Sequence, residues 1–526
     1  MLFVDDRHIE RSENVTLTLN PPAKAGACLS IDREWELSGA GADCIVKWQG
    51  EYWFYYKVSG GETGPYLALA TSSDGITWEK PELGIVEFNG STLNNLIPLD
   101  GQKPGEMCVM VDPTGPDEHR FKLVCHNAAE GGMYLMTSRD GLDFRRASGH
   151  LLNFITDNRM TFFFDERIGK YRIYLRGWDR SRGIPPMQGT RSVLLAELDD
   201  PFSPIPVDQD APDKWHNSPK WNDLFEGGLR RMNRELPIAL NCDDLDDPNA
   251  GLYQAAAVHY LPEVYLAFPT LYHSYPWPPV GKYINDGVLD LQFAYSRDGA
   301  QWSRDLRGSY VRLDLPGGPC SKQMHMLTGM VPNGPRISQY YCGSARTHGE
   351  GRTAKDVHVE RVTRMGDPIA FRLEQRMDGF VSADSAYTGG ELLTKPFVLQ
   401  NARLCLNIDT SASGTARAAL LDDEGTAIPG YGIEDCDTIQ GNDTRYAVTW
   451  HGKDDLSALN GNRVRLLLRS RNTKLYAVRP VQVRPGNPES EMRDLIRLAS
   501  SKPARPRYPA SDRTRPRRSP GRTGTP

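Results

Sequence analysis

The stretch Ser72-Ser-Asp-Gly-Ile-Thr-Trp78 decides the fold of this chain, because its pattern returns as Ser138-Arg-Asp-Gly-Leu-Asp-Phe144 and as Ser296-Arg-Asp-Gly-Ala-Gln-Trp302. The shared pattern is Ser-x-Asp-Gly-x-x-aromatic, and each copy follows an apolar, β-prone run. Asp-Gly supplies the positive φ that a tight hairpin turn requires, and the Asp side chain can bond to the turn amides. Each copy therefore predicts a strand, a turn and a second strand, with the aromatic ring packed between neighbouring sheets. The Asp residues of the pattern are predicted to be structural rather than catalytic.

The spacing of the copies indicates a repeating unit. Ser138 follows Ser72 by 66 residues and Ser296 follows Ser138 by 158, which leaves room for a degenerate copy near residues 194–202. Four short strands with their loops fill a unit of this length, so residues 41–384 accommodate five units. The sequence therefore predicts an all-β fold whose main domain is a five-bladed β-propeller.

Changes in composition predict the other domains. We expect residues 1–40 to form an N-terminal arm that packs on the propeller. Short alternating strands replace the repeat over residues 385–482, which predicts a small β-sandwich. Residues 483–526 are rich in Pro, Arg and Ser and offer little to bury, so we expect a short helix followed by a disordered basic tail.

Composition also excludes several classes of function. The chain has 526 residues, with 62 Lys plus Arg against 67 Asp plus Glu, so no bulk charge favours nucleic acid or an anionic membrane as a partner. No run approaches the roughly 18 apolar residues of a membrane helix, and the start MLFVDDRHIERSENV is too charged for a signal peptide, which predicts a cytoplasmic protein. The nine cysteines contain no C-x-x-C pair, so neither a zinc site nor a disulfide framework is indicated. No compact ligand string for calcium appears either, and we expect no metal and no cofactor. The oligomeric state is left open.

Five further stretches carry a family resemblance. They are Ala70–Gly84, Glu87–Gly90, Gly169–Arg176, Tyr265–Pro269 and Asp378–Asp384, read as ATSSDGITWEKPELG, EFNG, GKYRIYLR, YLAFP and DGFVSAD. In these stretches the chain resembles bacterial proteins placed with the five-bladed-propeller glycoside hydrolases, the superfamily of invertases, levanases and arabinanases. The C-terminal stretch Ile428-Pro-Gly-Tyr431 resembles the sandwich that accompanies such propellers. The resemblance implies a carbohydrate substrate and a site built from acids on the innermost strands.

Three acids at the start of predicted innermost strands are the catalytic candidates. Glycoside cleavage needs one carboxyl to protonate the leaving oxygen and another to attack the anomeric carbon or activate water. Asp157 stands where the related proteins carry an Asp, and Arg159 and Arg176 are suited to hold it ionised. The resemblance implies that Asp43 is the nucleophile or base and that Glu106 is a proton donor.

Two acids that the resemblance implies are absent from the chain. Gly251 stands where an acid is expected before the fourth blade, and Ser321 stands where one is expected before the fifth. Lys322, Gln323 and His325 follow in their place, which predicts a more cationic, hydrogen-bonding pocket suited to a sugar with an acidic or phosphorylated group.

Candidate sugar-binding residues share a ring, a cation or an amide that can stack on a sugar face or hydrogen-bond to its hydroxyls. They are Arg159, Arg176, Trp178, Tyr253, His273, Tyr275, Lys322, Gln323 and His325.

These observations support two classes of function. The leading hypothesis is a glycoside hydrolase, or an enzyme of glycosyl transfer, whose acids line the axial pocket, with furanosides as the substrates that the resemblance implies. The alternative is a non-catalytic carbohydrate-binding or scaffold propeller that has lost its acids, as Gly251 and Ser321 allow. Two carboxyl groups about 5 to 10 Å apart in one pocket would separate the hypotheses. A sialidase-like enzyme ranks last, because no arginine triad accompanies the hairpin pattern.

Overall fold

The computed structural model describes residues 1–60, 64–100, 104–127, 132–153, 156, 159–179, 181–183, 189–207, 235–275, 285–352, 363–400 and 403–481. These residues are almost entirely β-structure, with short 3-10 helices at Glu34–Glu36, Asp117–His119 and Ser457–Leu459. The all-β class predicted from the sequence is confirmed. Within these ranges, no helix has the length and apolar character needed to cross a membrane.

The chain begins with three strands that join sheets formed later, and the next twelve strands make three consecutive four-stranded antiparallel sheets. The early strands are β1 (Ile9–Glu13), β2 (Val15–Leu19) and β3 (Ala23–Ser30). The first sheet contains β4 (Ala40–Trp48), β5 (Glu51–Val58), β6 (Tyr66–Ser72) and β7 (Leu96–Ile97). The second contains β8 (Pro104–Val111), β9 (Phe121–Asn127), β10 (Met133–Ser138) and β11 (Arg145–Leu152). The third contains β12 (Thr161–Asp165), β13 (Lys170–Asp179), β14 (Thr190–Leu198) and β15 (Ile238–Leu240).

The next eleven strands divide between a fourth sheet and an eight-stranded sheet. They are β16 (Ala250–Gln254), β17 (Ala257–Leu261), β18 (Val264–Ala267), β19 (Thr270–Ser274), β20 (Gly287–Leu291), β21 (Ala294–Ser296), β22 (Trp302–Ser303), β23 (Gln323–Met326), β24 (Val331–Asn333), β25 (Arg336–Ser344) and β26 (Pro368–Arg376). The fourth sheet has the order β17-β18-β21-β22, and the larger sheet has the order β16-β19-β20-β23-β25-β26-β3, with β24 on β25. The four four-stranded sheets are propeller-like blades.

The last seven strands build a nine-stranded sheet together with β1 and β2. They are β27 (Val381–Ser385), β28 (Gly390–Thr394), β29 (Phe397–Val398), β30 (Arg403–Leu421), β31 (Ile439–Ala447), β32 (Arg463–Arg471) and β33 (Thr473–Val481). The sheet order is β1-β28-β32-β30-β33-β27-β2, with β29 on β32 and β31 on β30. Its core, which includes Leu404, Trp450 and Leu466, is separate from the cores between the blades. The predicted sandwich stays a prediction, and the expected helix and tail from residue 483 lie outside the described residues.

The hairpin pattern forms the turns that the sequence predicts. In the first copy, the Gly75 amide donates to Ser72 Oγ at 2.8 Å and the Ile76 amide donates to Asp74 Oδ1 at 2.7 Å. Gly75 has a φ of +70°, which a residue with a side chain rarely adopts. The equivalent Ser and Asp of the other two copies cap their turns in the same way. The structural role predicted for these acids is confirmed.

Each of these turns also receives a hydrogen bond from a neighbouring sheet. A buried tyrosine hydroxyl donates to the carbonyl of the turn glycine, and the three pairs are Tyr340 to Gly75 at 2.5 Å, Tyr55 to Gly141 at 3.1 Å and Tyr174 to Gly299 at 2.5 Å. The aromatic residue of each copy packs against the same tyrosine ring. The repeat therefore joins adjacent sheets as well as closing its own hairpin.

Hydrophobic cores fill the spaces between consecutive sheets. One core joins Tyr55 of the first sheet to Phe121 of the second, and further cores continue to the third sheet, the fourth sheet and the eight-stranded sheet. Another core contains Tyr340 of the eight-stranded sheet and Phe54 of the first. Because Phe54 and Tyr55 are successive residues of β5, their side chains face opposite sides of one sheet and serve two cores.

Candidate functional site

Two of the predicted acids lie at irregularities in the first strands of their sheets. The pairing of β4 with β5 shifts between Ala42 and Cys44, so Asp43 is the extra residue of a bulge. The pairing of β8 with β9 shifts between Pro104 and Met107, in the segment that contains Glu106. A bulge turns a side chain away from the regular alternation of a strand, and such bulges are common beside active sites.

Glu106 is held by two cations. The carboxylate lies 3.5 Å from Lys57 Nζ and 3.2 Å from Arg159 Nε, and about a third of its side chain is exposed. Arg159 also donates from Nη1 to Cys342 Sγ at 3.1 Å, which ties the second sheet to the eight-stranded sheet. Glu106 is therefore a partly exposed carboxylate that is paired with two more deeply buried cations.

Asp43 lies deeper than Glu106. Its side chain is 3% exposed, and its two carboxylate oxygens make no hydrogen bond of ordinary geometry with any described residue. Burial raises the pKa of Asp43 to about 6, although Lys57 and Arg159 act in the opposite direction. A carboxyl group in this state holds a proton at mildly acidic pH.

The two acids differ in the direction of their pKa shifts. Burial alone would raise the pKa of Glu106, but Lys57 and Arg159 outweigh it and lower the value to about 2. The positive charge of His325, when protonated, acts in the same direction on Glu106. At mildly acidic pH, Glu106 is therefore ionised while Asp43 keeps its proton, which is the division of roles that acid–base catalysis requires.

A second cluster of rings and guanidinium groups surrounds Tyr253, which lies at a register shift between β16 and β19. The Arg176 guanidinium lies 4.3 Å from the Tyr253 ring centroid, and the Arg191 guanidinium lies 4.9 Å from it. The His325 ring meets the same tyrosine edge-on at 5.4 Å. Because His325 also acts on Glu106, it connects this cluster to the acids.

His348 completes the ring cluster as a neutral imidazole. Its Nδ1 lies 2.9 Å from the carbonyl oxygen of Asn285, which can only accept, so Nδ1 carries the proton. Nε2 therefore accepts from the Tyr253 hydroxyl at 3.1 Å. Burial, followed by the charge of Arg191, lowers the pKa of His348 to about 3. The positive charge of this cluster thus resides on its arginines.

Arg191 is buried at the start of β14. Its side chain is 2% exposed and packs against the rings of Trp178, Tyr253 and Tyr272, at 5.3, 4.9 and 4.7 Å. It lines a narrow cleft together with Gly189, Thr190, Asn249, Gly251 and Tyr272, and the space between these residues is too small to hold a water molecule. A Cβ at Gly251 would lie 2.7 Å from the Arg191 backbone nitrogen. The acid expected at position 251 therefore has no room in this backbone.

The other predicted site residues have separate positions. Asp157 lies outside the described residues. His273 follows Tyr272 on β19, and its charge acts on Asp290 on the other side of the strand from the ring cluster. Tyr275 is 36% exposed at the edge of the described segment. Arg176 and Trp178 are buried in the ring cluster around Tyr253, whereas Arg159 pairs with Glu106.

Lys322 comes directly before β23, and Gln323 is the first residue of that strand. Lys322 is half-buried, and its backbone pairs with Ser344 and Leu289. Gln323 is buried and donates from Nε2 to the Arg346 carbonyl at 2.6 Å, so its amide supports the loop after β25.

The sequence analysis missed several residues of the two clusters. They are Lys57, Arg191, Tyr272, Asn285, Cys342 and His348. Two of these cations could have been noticed in the sequence. Lys57 lies within the otherwise mostly apolar β-run Tyr52–Val58, and Arg191 comes two residues before the run Val193–Leu198. Their partners come from other sheets, and no local pattern identifies them.

The described residues contain no group of three or more His, Cys, Asp or Glu side chains that could hold a metal ion.

Comparison with known proteins gave structural matches only, since no family model and no curated protein matches the chain. The chain is similar to solved glycoside hydrolases. A thermostable family-43 glycoside hydrolase matches at 12% identity, covering 65% of this chain and 93% of that one, with a TM-score of 0.36. A family-43 arabinoxylan arabinofuranohydrolase from Bacillus subtilis matches at 10% identity, covering 84% and 96%, with a TM-score of 0.35. A GH32 beta-fructofuranosidase from Bombyx mori matches at 10% identity, covering 88% and 95%, with a TM-score of 0.36.

Proposed function

We propose that this chain is a carbohydrate-active enzyme that cleaves or transfers a glycosyl group with two carboxyl groups, Asp43 and Glu106. The observation that carries the proposal is that Lys57 and Arg159 act on both acids while the two pKa values shift in opposite directions. Environments that separate the pKa values of two neighbouring acids assign them to different roles in catalysis.

The roles follow from the protonation states. Asp43, which keeps its proton to about pH 6, donates that proton to the leaving oxygen. Glu106, which stays ionised and is partly exposed, attacks the anomeric carbon or takes the proton of the attacking water. This assignment reverses the roles that the family resemblance implies for the two residues. Asp157 remains a proposed third acid, because in the sequence it comes shortly before β12, as Asp43 and Glu106 come near the starts of β4 and β8.

A five-bladed propeller is the proposed scaffold of the site. Its support is that the hydrophobic cores continue from sheet to sheet and return from Tyr340 to Phe54 of the first sheet. Strands β23, β25, β26 and β3 supply the fifth blade in this proposal, with the N-terminal strand as its outer edge. The nine-stranded sheet, which has its own core, is the proposed C-terminal sandwich.

A non-catalytic carbohydrate-binding protein is the second candidate, and the burial of Asp43 favours it. The Asp43 oxygens have almost no accessible surface, so in this conformation a substrate oxygen cannot reach them. The rings and guanidinium groups around Tyr253 are equally suited to hold a sugar without cleaving it.

The test is a substrate screen of the intact protein beside Asp43→Asn, Glu106→Gln and Asp157→Asn. Furanosides, pyranosides and oligosaccharides are supplied, and reducing-sugar release is measured. We expect the first two variants to lose at least about a hundredfold in kcat/KM while keeping a cooperative thermal transition. Asp199→Asn is the matched control, because this acid is 85% exposed and pairs only with Lys170 among the described residues.

Two results would contradict the proposal that the chain is an enzyme acting through Asp43 and Glu106. Full activity in both Asp43→Asn and Glu106→Gln would remove these acids from the reaction. If the wild-type protein released no reducing sugar from any glycoside but bound a sugar measurably, the second candidate, a carbohydrate-binding protein, would be favoured instead.

A further inference from the structure

Two cysteines meet where the first sheet faces the second. Cys44 lies in β4 and Cys108 lies in β8, and these first strands of their sheets are in contact. The Cys44 sulfur accepts a hydrogen bond at 3.3 Å from the Val109 amide, which directly follows Cys108 in the chain. The Cys108 sulfur lies 3.7 Å from Thr328 Oγ1, and the backbone of Thr328 pairs with that of Cys44. The two thiols therefore lie in one small region, between Val109 and Thr328.

The two thiols also act on each other. Hydrogen bonding with Cys44 lowers the pKa of the Cys108 thiol, and this effect outweighs that of burial. Burial, followed by the interaction with Cys108, raises the pKa of the Cys44 thiol well above its usual value of 9.0. A pair in which one thiol stabilises the thiolate of the other is typical of dithiols that form disulfides.

Three other buried cysteines differ from Cys108. Burial raises the pKa values of Cys125, Cys242 and Cys320 to about 12. These thiols keep their protons at neutral pH, and a protonated thiol is a poor nucleophile. Cys108 is therefore the sulfur that is expected to react before these three, and Cys44 is the thiol that adjoins it.

We propose that Cys44 and Cys108 form a reversible disulfide when the protein meets hydrogen peroxide. The Cys108 thiolate attacks one peroxide oxygen, so an S–O bond forms, the O–O bond breaks and hydroxide leaves. The Cys44 sulfur then attacks the Cys108 sulfur, so the S–S bond forms, the S–O bond breaks and a second hydroxide leaves. The protons of the two thiols convert both hydroxides to water. The two sulfurs are oxidised and the peroxide is reduced.

Burial restricts this reaction to a small oxidant. Cys44 is 1% exposed and Cys108 is 2% exposed, so peroxide reaches them through brief local opening of the strands. The product needs no added space, because bonding draws two neighbouring sulfurs closer together and removes two hydrogens. The packing around the thiols is therefore compatible with the disulfide.

The disulfide also acts on the proposed catalytic acids, and this part of the inference rests on the proposed function. Asp43 directly precedes Cys44, and Glu106 comes two residues before Cys108. Asp43 is 3% exposed, so it has to move before a substrate oxygen can reach it. A covalent bond at the next residue opposes that movement. Oxidation is therefore expected to lower glycoside cleavage, and reduction is expected to restore it.

The test is a map of the thiols in the intact protein. Hydrogen peroxide is added, the remaining thiols are blocked with N-ethylmaleimide in denaturant, and the peptides are identified by mass spectrometry. We expect a cross-linked pair of peptides that contain Cys44 and Cys108 and separate on treatment with dithiothreitol, while Cys125 stays a free thiol. Peroxide that leaves both thiols free, or converts Cys108 to sulfinic acid beside a free Cys44, would overturn the proposal.

Variants separate the two steps of the reaction. In Cys44→Ser, the oxidised sulfur has no second thiol to attack it, so Cys108 should stop at the sulfenic acid, which dimedone traps. In Cys108→Ser, Cys44 should remain a free thiol, and its oxidation would contradict the order of the steps. Cys125→Ser is the matched control, because Cys125 is buried in β9 of the second sheet and its loss should leave the cross-link unchanged. If a variant does not fold, the wild-type map still decides whether the disulfide forms.

Hydrolysis is measured separately on the same oxidised and reduced samples. We expect the oxidised protein to be at least about threefold slower and dithiothreitol to restore the rate, because Asp43 has to move during turnover. A cross-link without a change in hydrolysis would uphold the disulfide and reject its control of the site. A cross-link in a protein that cleaves no glycoside in either state would count against the proposed function alone.

Discussion

Asp43→Asn is predicted to stabilise the protein at neutral pH and to leave its stability unchanged in acid. The usual pKa of an Asp carboxyl is 3.8, and burial raises that of Asp43 to about 6 in the folded chain. Each pKa unit corresponds to about 1.4 kcal/mol, so ionising Asp43 lowers the free energy of unfolding by about 3 kcal/mol. The loss occurs as pH rises from about 4 to just above 6, because the unfolded chain ionises first. Asparagine cannot ionise and avoids this loss.

Urea denaturation at pH 4, 5, 6, 7 and 8 measures the effect as the difference in free energy of unfolding between Asp43→Asn and wild type. The difference should rise from near zero at pH 4 to about 3 kcal/mol at pH 8. Glu106 is present in both proteins, so its own titration largely cancels from the comparison. Asp199→Asn should give a difference close to zero at every pH, since that carboxylate is 85% exposed.

A difference that stays flat with pH, or a variant less stable than wild type at pH 8, would refute the account of Asp43 as a destabilised buried acid. The combination of higher stability and lost activity is the mark of a residue kept for function, because a structural residue loses stability when it is replaced.

The remaining predictions concern contacts between sheets and the backbone beside the cleft. Tyr340→Phe removes the hydrogen bond to the turn carbonyl of the first sheet, so the free energy of unfolding should fall by about 1 to 2 kcal/mol in urea denaturation, and an unchanged midpoint would argue against the bond. Lys122→Met leaves Asp112 buried without its cation, so stability should fall by about 3 to 5 kcal/mol, whereas a loss below about 1 kcal/mol would mean that the carboxylate is satisfied by other groups. Gly251→Ala brings a Cβ to 2.7 Å from the Arg191 backbone nitrogen, so stability should fall by about 1 to 3 kcal/mol in urea denaturation, whereas an unchanged midpoint would mean that β14 can shift to accept the methyl group.

The repeated hairpin could be predicted from the sequence because all of its requirements are local. Ser72, Asp74 and Gly75 satisfy one another within four residues, through an Oγ, a carboxylate and a positive φ. The tyrosine that donates to each turn glycine could not be predicted, because Tyr340 lies 265 residues from Gly75. Partners at that separation are fixed by the order of sheets around the fold.

The candidate site could be predicted only in part for the same reason. Asp43 and Glu106 were recognisable because each comes at the start of an apolar strand. The opposite directions of their pKa shifts depend on Lys57, which lies on the neighbouring strand β5, and on Arg159, which precedes the third sheet. The resemblance implied roles for the two acids without information on these cations, and the pKa shifts favour the reverse assignment.

Gly251 shows that the backbone of this fold leaves no place for the acid that the resemblance implies there. A side chain at this position would collide with the backbone of Arg191, so an acid at position 251 and the present course of β14 exclude each other. Position 251 therefore lacks an acid for a steric reason, and the proposed reaction depends on Asp43 and Glu106.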